Sequence, residues 1–131
     1  MGEISVPAEP LGILLVSGTH ERAHFAFVLA AGAAAIGRQV VLFATNAGCQ
    51  ALTADGGGLA ETGRDEMIRA RGVAGFAELR AAASELGVRL IACEAGLHAE
   101  ALAPERLLAG VEIAGVVTFL EAIGAGQIVT L

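Results

Sequence analysis

The sequence contains no lysine, no tryptophan and no tyrosine, and only two of its 131 residues are cysteine. Without lysine the chain cannot form a Schiff base or supply the lysine of a Walker phosphate-binding loop. Two cysteines are too few for a disulfide framework or for a cysteine-based zinc site. Any chemistry of Cys49 and Cys93 is therefore predicted to be that of thiols.

Positive charge and aromatic side chains are also scarce. Fourteen acidic residues outnumber eight arginines, which gives a formal net charge of −6, and aromatic residues make up 4% of the chain. This charge repels phosphate backbones and anionic lipid, and so few aromatic rings offer little surface on which bases could stack. The sequence predicts neither a nucleic-acid partner nor a membrane partner.

The sequence shows no signal for export, lipidation or membrane insertion. Its first residues include Glu3 where a signal peptide needs basic residues, and Val6 stands where a myristoylation signal needs serine or threonine. The longest apolar run, 25–37, has 13 residues, a length typical of a buried helix. We therefore expect a soluble cytoplasmic protein.

Apolar residues and glycine are plentiful. Hydrophobic residues make up 55% of the chain, which is ample for one core. We predict a flexible tail at 1–10 and a single domain at 11–131. Apolar runs with the length of strands alternate with helical patterns that end in glycine, as in α/β proteins with a parallel sheet and helices on both faces. Strands are predicted at 11–17, 39–44, 88–93, 111–115 and 127–131, and helices at 21–36, 61–71, 75–86, 104–109 and 117–123.

The carboxyl ends of parallel strands are where ligands bind in such sheets. Three segments should meet there, at 18–21, 46–49 and 93–98. Cys93 closes the third strand, and the amides that follow Glu94 could stabilise its thiolate, although the charge of Glu94 opposes this. The alternative is that Cys93 is a buried structural residue. Cys49 has a similar edge position and could resolve an oxidised Cys93 if the two sulfurs approach.

A second pattern, His20-Glu21-x-x-His24, matches the zinc-binding motif of metalloproteases. It falls at a strand-to-helix junction and has no identifiable third ligand. We therefore favour polar residues in the first turn of a helix that Thr19 caps, with a zinc hydrolase as a weaker alternative. No metal and no cofactor are predicted.

Several stretches together resemble the DsrE/DsrF-like family. They are Gly18-Thr19, the alanine-rich 33–37, the strand at 40–45, the run 85–88 leading to Ala92-Cys93, and 110–115 with 118–121. The resemblance implies a three-layer α/β/α sandwich with a five-stranded, mainly parallel sheet, assembled as a trimer or hexamer, and a role in intracellular sulfur handling. Cys93 matches the position at which sulfur-relay members carry a persulfide. Glu21 stands where many relatives have aspartate.

The resemblance and the edge position of Cys93 lead to one main hypothesis. The chain is predicted to be a sulfur carrier or sulfurtransferase subunit that passes sulfur from Cys93 to a partner thiol, for example on a small sulfur-carrier protein. Residues expected to shape or support the site are Gly18, Thr19, His20, Glu21, Asn46, Cys49, Glu94 and His98. His98, expected in a loop beyond Cys93, is the candidate to tune protonation. The alternative is a non-catalytic oligomeric adaptor with an inert Cys93.

Overall fold

Five parallel strands form one sheet in the order β4-β3-β2-β1-β5 in the computed structural model, which describes residues 9–131. Residues 1–8 of the predicted tail lie outside the described residues. The strands are β1 (Leu11–Leu15), β2 (Val40–Ala44), β3 (Arg89–Cys93), β4 (Glu112–Ala114) and β5 (Gln127–Thr130). The α-helices are α1 (His20–Ala35), α2 (Gly63–Ala70), α3 (Phe76–Glu85), α4 (Glu94–Ala99) and α5 (Val116–Ile123), and 3₁₀ turns span Asn46–Leu52 and Pro104–Arg106.

The two faces of the sheet are covered unequally. Helices α1 and α3 pack together on one face, over a core that includes Phe27 and Leu42. The other face is covered by the eight-residue α5, whose Phe119 stacks on Phe43 of β2 with ring centroids 5.0 Å apart. Strands buried on both faces must be apolar throughout, which explains the continuous apolar runs of β1 and β2. The predicted α/β class with helices on both faces is confirmed.

The structure differs from the predicted elements at three places: after Cys93, at 104–109 and at the start of α2. The chain after Cys93 is not a loop but α4, so His98 lies in a helix. The predicted helix at 104–109 is a single 3₁₀ turn. Thr62 and Asp65 have the spacing of a capping pair at the start of α2, but they do not form one. The backbone of Thr62 is already helical and its side chain makes no capping hydrogen bond, while Asp65 is bonded to His20 and to the N–H of Phe76. No helix within residues 9–131 is long and apolar enough to cross a membrane.

Candidate functional site

The segments that follow β1, β2 and β3 meet at the carboxyl edge of the sheet, as predicted. A Cβ added to Gly18 would lie 2.7 Å from the Cβ of Ala47, and one added to Gly96 would lie 2.6 Å from the backbone nitrogen of Asn46. Such approaches are possible only for glycine. Gly18 therefore lets the segment after β1 pack closely against the 3₁₀ turn after β2, and Gly96 lets α4 pack closely against the same turn.

Cys93 is at once the last residue of β3 and the N-cap of α4. Its Sγ accepts a hydrogen bond from the backbone N–H of Gly96 at 3.3 Å. The residue is 7% exposed, and its side chain belongs to the core under α5, together with Phe43 and Phe119. An N–H that donates to sulfur stabilises the anionic form preferentially. The fold thus places a backbone N–H donor against the Cys93 sulfur at the edge of the sheet.

Cys49 lies in the other core, between the sheet and α1 and α3. It is fully buried, and its thiol donates to the carbonyl of Ala44 at 3.5 Å. Burial raises the pKa of Cys49 to about 11, and the charge of nearby Cys93 adds to this, although the backbone N–H of Cys93 acts in the opposite direction. Cys49 is consequently protonated at neutral pH, which makes it a slow nucleophile for resolving an oxidised Cys93.

His20 and His24, the histidines of the zinc-like motif, are both bonded to other parts of the chain. The Nε2 of His20 lies 2.7 Å from Oδ1 of Asp65, and the Nε2 of His24 lies 2.8 Å from the carbonyl oxygen of Ala74. The two rings stack with centroids 5.5 Å apart. Within residues 9–131, no group of three or more His, Cys, Asp or Glu side chains is arranged to hold a metal ion. The motif therefore serves to hold helices together.

Asp65 is the centre of that network. Its Oδ1 also accepts the backbone N–H of Phe76, the first residue of α3, at 2.8 Å. Burial by itself would raise the pKa of Asp65, but the Phe76 N–H, His20 and Arg69 together outweigh it and lower the pKa. A charged Asp65 therefore ties α2 to the start of both α1 and α3.

The other predicted site residues lie along the same edge with different roles. Thr19 caps α1 by accepting the Arg22 N–H at 3.4 Å. Glu21 is exposed and lies 3.8 Å from Arg64. Asn46, Glu94 and His98 are all exposed. Asn46 begins the 3₁₀ turn after β2, Glu94 begins α4, and His98 lies in the last turn of α4.

The main cavities lie away from Cys93. One of about 590 Å³ is lined by Glu21, His24 and Phe25 of α1 and by Arg64 and Ile68 of α2. A second, of about 360 Å³, runs between α1 and β5 and shares Phe25. Cys93, Asn46 and His98 line neither cavity. Glu21 therefore lines a cavity that Cys93 does not line, although both residues were predicted to belong to one site.

Sequence reasoning missed the role of Asp65 and overlooked Arg80. The buried guanidinium of Arg80 donates to the carbonyls of Ala51, Thr53 and Ala54 at 2.6 to 2.9 Å and lies over the Phe76 ring. As an acid near the start of the helix predicted at 61–71, Asp65 has the local pattern of a capping residue. Nothing in the local pattern around Arg80 distinguishes it from a solvated residue of an amphipathic helix.

Comparison with known proteins gives a consistent result. The sequence profile of the DsrE/DsrF-like family matches residues 12–131. Two solved structures share the fold: a protein of unknown function, MTH1491, from Methanobacterium thermoautotrophicum (TM-score 0.68, 16% identity) and the ychN protein from E. coli (TM-score 0.70, 14% identity). Each similarity covers 94% of this chain and 99% of the other. Among curated proteins, none matches the sequence.

Proposed function

The chain belongs to the DsrE/DsrF-like family, and on that premise we propose that it carries sulfane sulfur as a persulfide on Cys93 and passes it to a thiol of a partner protein. One observation carries the proposal: Cys93 ends the third strand at the ligand-binding edge of the sheet, with its Sγ accepting the Gly96 N–H. The same N–H would stabilise the persulfide anion.

Loading needs no external oxidant. The Cys93 thiolate attacks the outer sulfur of a donor persulfide, the S–S bond of the donor breaks, and the bonding pair leaves with the donor thiolate. The transferred sulfur ends as the terminal atom of a Cys93 persulfide, and its proton passes to the donor thiolate, which leaves the persulfide anion. In the second step a partner thiolate attacks that terminal sulfur, and the electron pair of the broken bond returns to Cys93 as thiolate.

The test is intact mass spectrometry after incubation with polysulfide. We expect additions of about 32 Da that a reductant removes, present in the wild type and in Cys49→Ser and absent in Cys93→Ser. Cys49→Ser is the matched control because it removes the other thiol. If both variants load equally, or if the folded wild type stays unmodified, the proposal is wrong.

An adaptor with an inert Cys93 is the second candidate. It is favoured by the burial of Cys93, which is 7% exposed and packs under α5. Buried cysteines of this kind commonly behave as small hydrophobic residues. The two functions differ in thiol reactivity: an iodoacetamide rate at Cys93 no faster than that of a free thiol at the same pH favours the adaptor.

Self-association is part of the same proposal. The outer surface of α1 exposes Phe25 and Ile36, and both residues line the apolar groove between α1 and β5. Exposed apolar surface of this kind is typical of an interface. We therefore propose that copies of the chain meet through α1, as a trimer or hexamer, and light scattering that reports a monomer would contradict this.

A further inference from the structure

A second exposed apolar surface lies beside Cys93. Val116, Val117 and Leu120 of α5 are exposed to 51%, 64% and 51%, and we call these three residues the α5 face. The spacings of three and four residues place Leu120 beside both valines on the helix. Phe119 and Ile123, on the opposite side of α5, pack into the core. The helix therefore uses one side for the fold and leaves the other side to solvent.

The register of the sheet places this face at the same edge as Cys93. Cys93 of β3 pairs with Ala114 of β4, and α5 begins two residues after Ala114. The Cys93 side chain lies on the side of the sheet that α5 covers. A protein that contacts the first turns of α5 therefore reaches the neighbourhood of the Cys93 sulfur.

The charged residue of α5 and the one that follows Cys93 are both acidic. Of the five glutamates from residue 94 to the last residue, Glu112 is paired with Arg89 of β3, and the same stretch contains one arginine. Exposed Glu94 follows Cys93 directly, and exposed Glu121 follows Leu120. The charge of Glu100 contributes to the raised pKa of Cys49, which places Glu100 near that thiol. By contrast, the cavities along α1 include Arg22, Arg38 and Arg64 in their linings.

We infer that the α5 face is the docking surface for the protein that exchanges sulfur with Cys93, and that this partner presents an apolar centre with basic residues around its thiol. The inference rests on the proposed function and adds the chemistry of the partner. Glutamates around a persulfide anion repel an acidic thiol protein and attract a basic one, so charge selects the partner while apolar contact holds it.

The experiment uses persulfide-loaded full chain and two synthetic thiol peptides. Both have a central cysteine between leucines, with arginines at the ends of one and glutamates at the ends of the other. Transferred persulfide is trapped with iodoacetamide and counted by mass spectrometry, and each rate is divided by the rate at which the same peptide takes sulfur from glutathione persulfide. We expect the arginine peptide to be about tenfold faster, with the ratio falling in 0.5 M salt.

Variants test the surface itself. Val117→Ser and Leu120→Ser should each slow transfer to the arginine peptide severalfold while leaving transfer to dithiothreitol unchanged. Leu86→Ser, the same kind of change at the exposed leucine that ends α3, is the matched control and should leave both rates unchanged.

The outcomes separate the inference from the proposed function. If Cys93 does not load, the proposed function fails. If it loads but the two peptides react equally, or if the α5 variants react like Leu86→Ser, the inference about the partner is overturned. If the α5 variants instead dissociate an oligomer that Leu86→Ser leaves intact, the face belongs to a second copy of the chain, which also overturns it.

Discussion

His20 and Cys93 occupy comparable places and have opposite surroundings. Each lies where the chain leaves a parallel strand at the carboxyl edge and enters a helix. His20 is 1% exposed, bonded to Asp65 and stacked on His24, and Asp65 is bonded in turn to the start of α3. Cys93 has the Gly96 N–H and lies under one short helix that exposes an apolar side.

The difference shows that a position at the carboxyl edge of the sheet does not by itself identify a side chain that takes part in chemistry. The His20 ring lies within a network in which Asp65 connects three helices, so its loss is expected to cost stability. Cys93 sits on the lightly covered face, where a single backbone N–H donates to its sulfur without connecting distant elements. The two regions should therefore respond to mutation in different measurements, stability for one and sulfur chemistry for the other.

The largest expected effect on stability comes from Asp65→Ala. The change removes the acceptor of both His20 and the Phe76 N–H, so we expect the free energy of unfolding to fall by about 2 kcal/mol in urea denaturation. Glu66→Ala, an exposed acid of the same helix, should change it by less than about 0.5 kcal/mol. The iodoacetamide rate at Cys93 should not change, and a severalfold change would mean that the two regions are coupled.

The effect of Asp65 should also depend on pH. Because its pKa is lower in the folded chain than its ordinary value of 3.8, the unfolded chain binds the proton first as pH falls. The difference in stability between wild type and Asp65→Asn should be complete above about pH 5 and shrink steadily below about pH 4. A difference that stays constant from pH 7 to pH 3 would show that the carboxylate charge contributes nothing.

The fold was predictable because its signals are local and repeated. Continuous apolar runs indicated strands buried on both faces, and Thr19 indicated the start of α1. The helix α4 was missed because six residues, Glu94–Ala99, are too few to show a helical period. The predicted strand 11–17 ends two residues early, at Leu15, since the chain there turns toward Ala47 and Gly48.

The candidate site was predictable only in part. The position of Cys93 at the sheet edge follows from its place after an apolar strand, but its hydrogen bond to Gly96 requires α4, which the sequence pattern did not reveal. The separation of Glu21 from Cys93 depends on how α1 packs against α2. The bond between His20 and Asp65 joins residues 45 positions apart, and no local pattern encodes such a distance.

Replacing two helical glycines by alanine should have smaller effects on stability, and these effects should be opposite in sign. Both Gly96 in α4 and Gly32 in α1 are helical, where alanine is ordinarily favoured by about 0.5 to 1 kcal/mol. Gly32 has open space around it, so Gly32→Ala should stabilise the chain by that amount in urea denaturation. At Gly96 the added methyl group would meet the backbone of Asn46 and Oγ1 of Thr45, so Gly96→Ala should cost about 1 to 2 kcal/mol.

Gly96→Ala should also move the N–H that donates to Cys93, and it is therefore expected to lower the amount of persulfide formed with polysulfide, whereas Gly32→Ala should leave that amount unchanged. The stability cost by itself would reflect packing alone. If Gly96→Ala loses stability but loads sulfur as fully as the wild type, the amide of Gly96 does not stabilise the sulfur anion, and the contrast between the two regions must rest on the covering of the sheet instead.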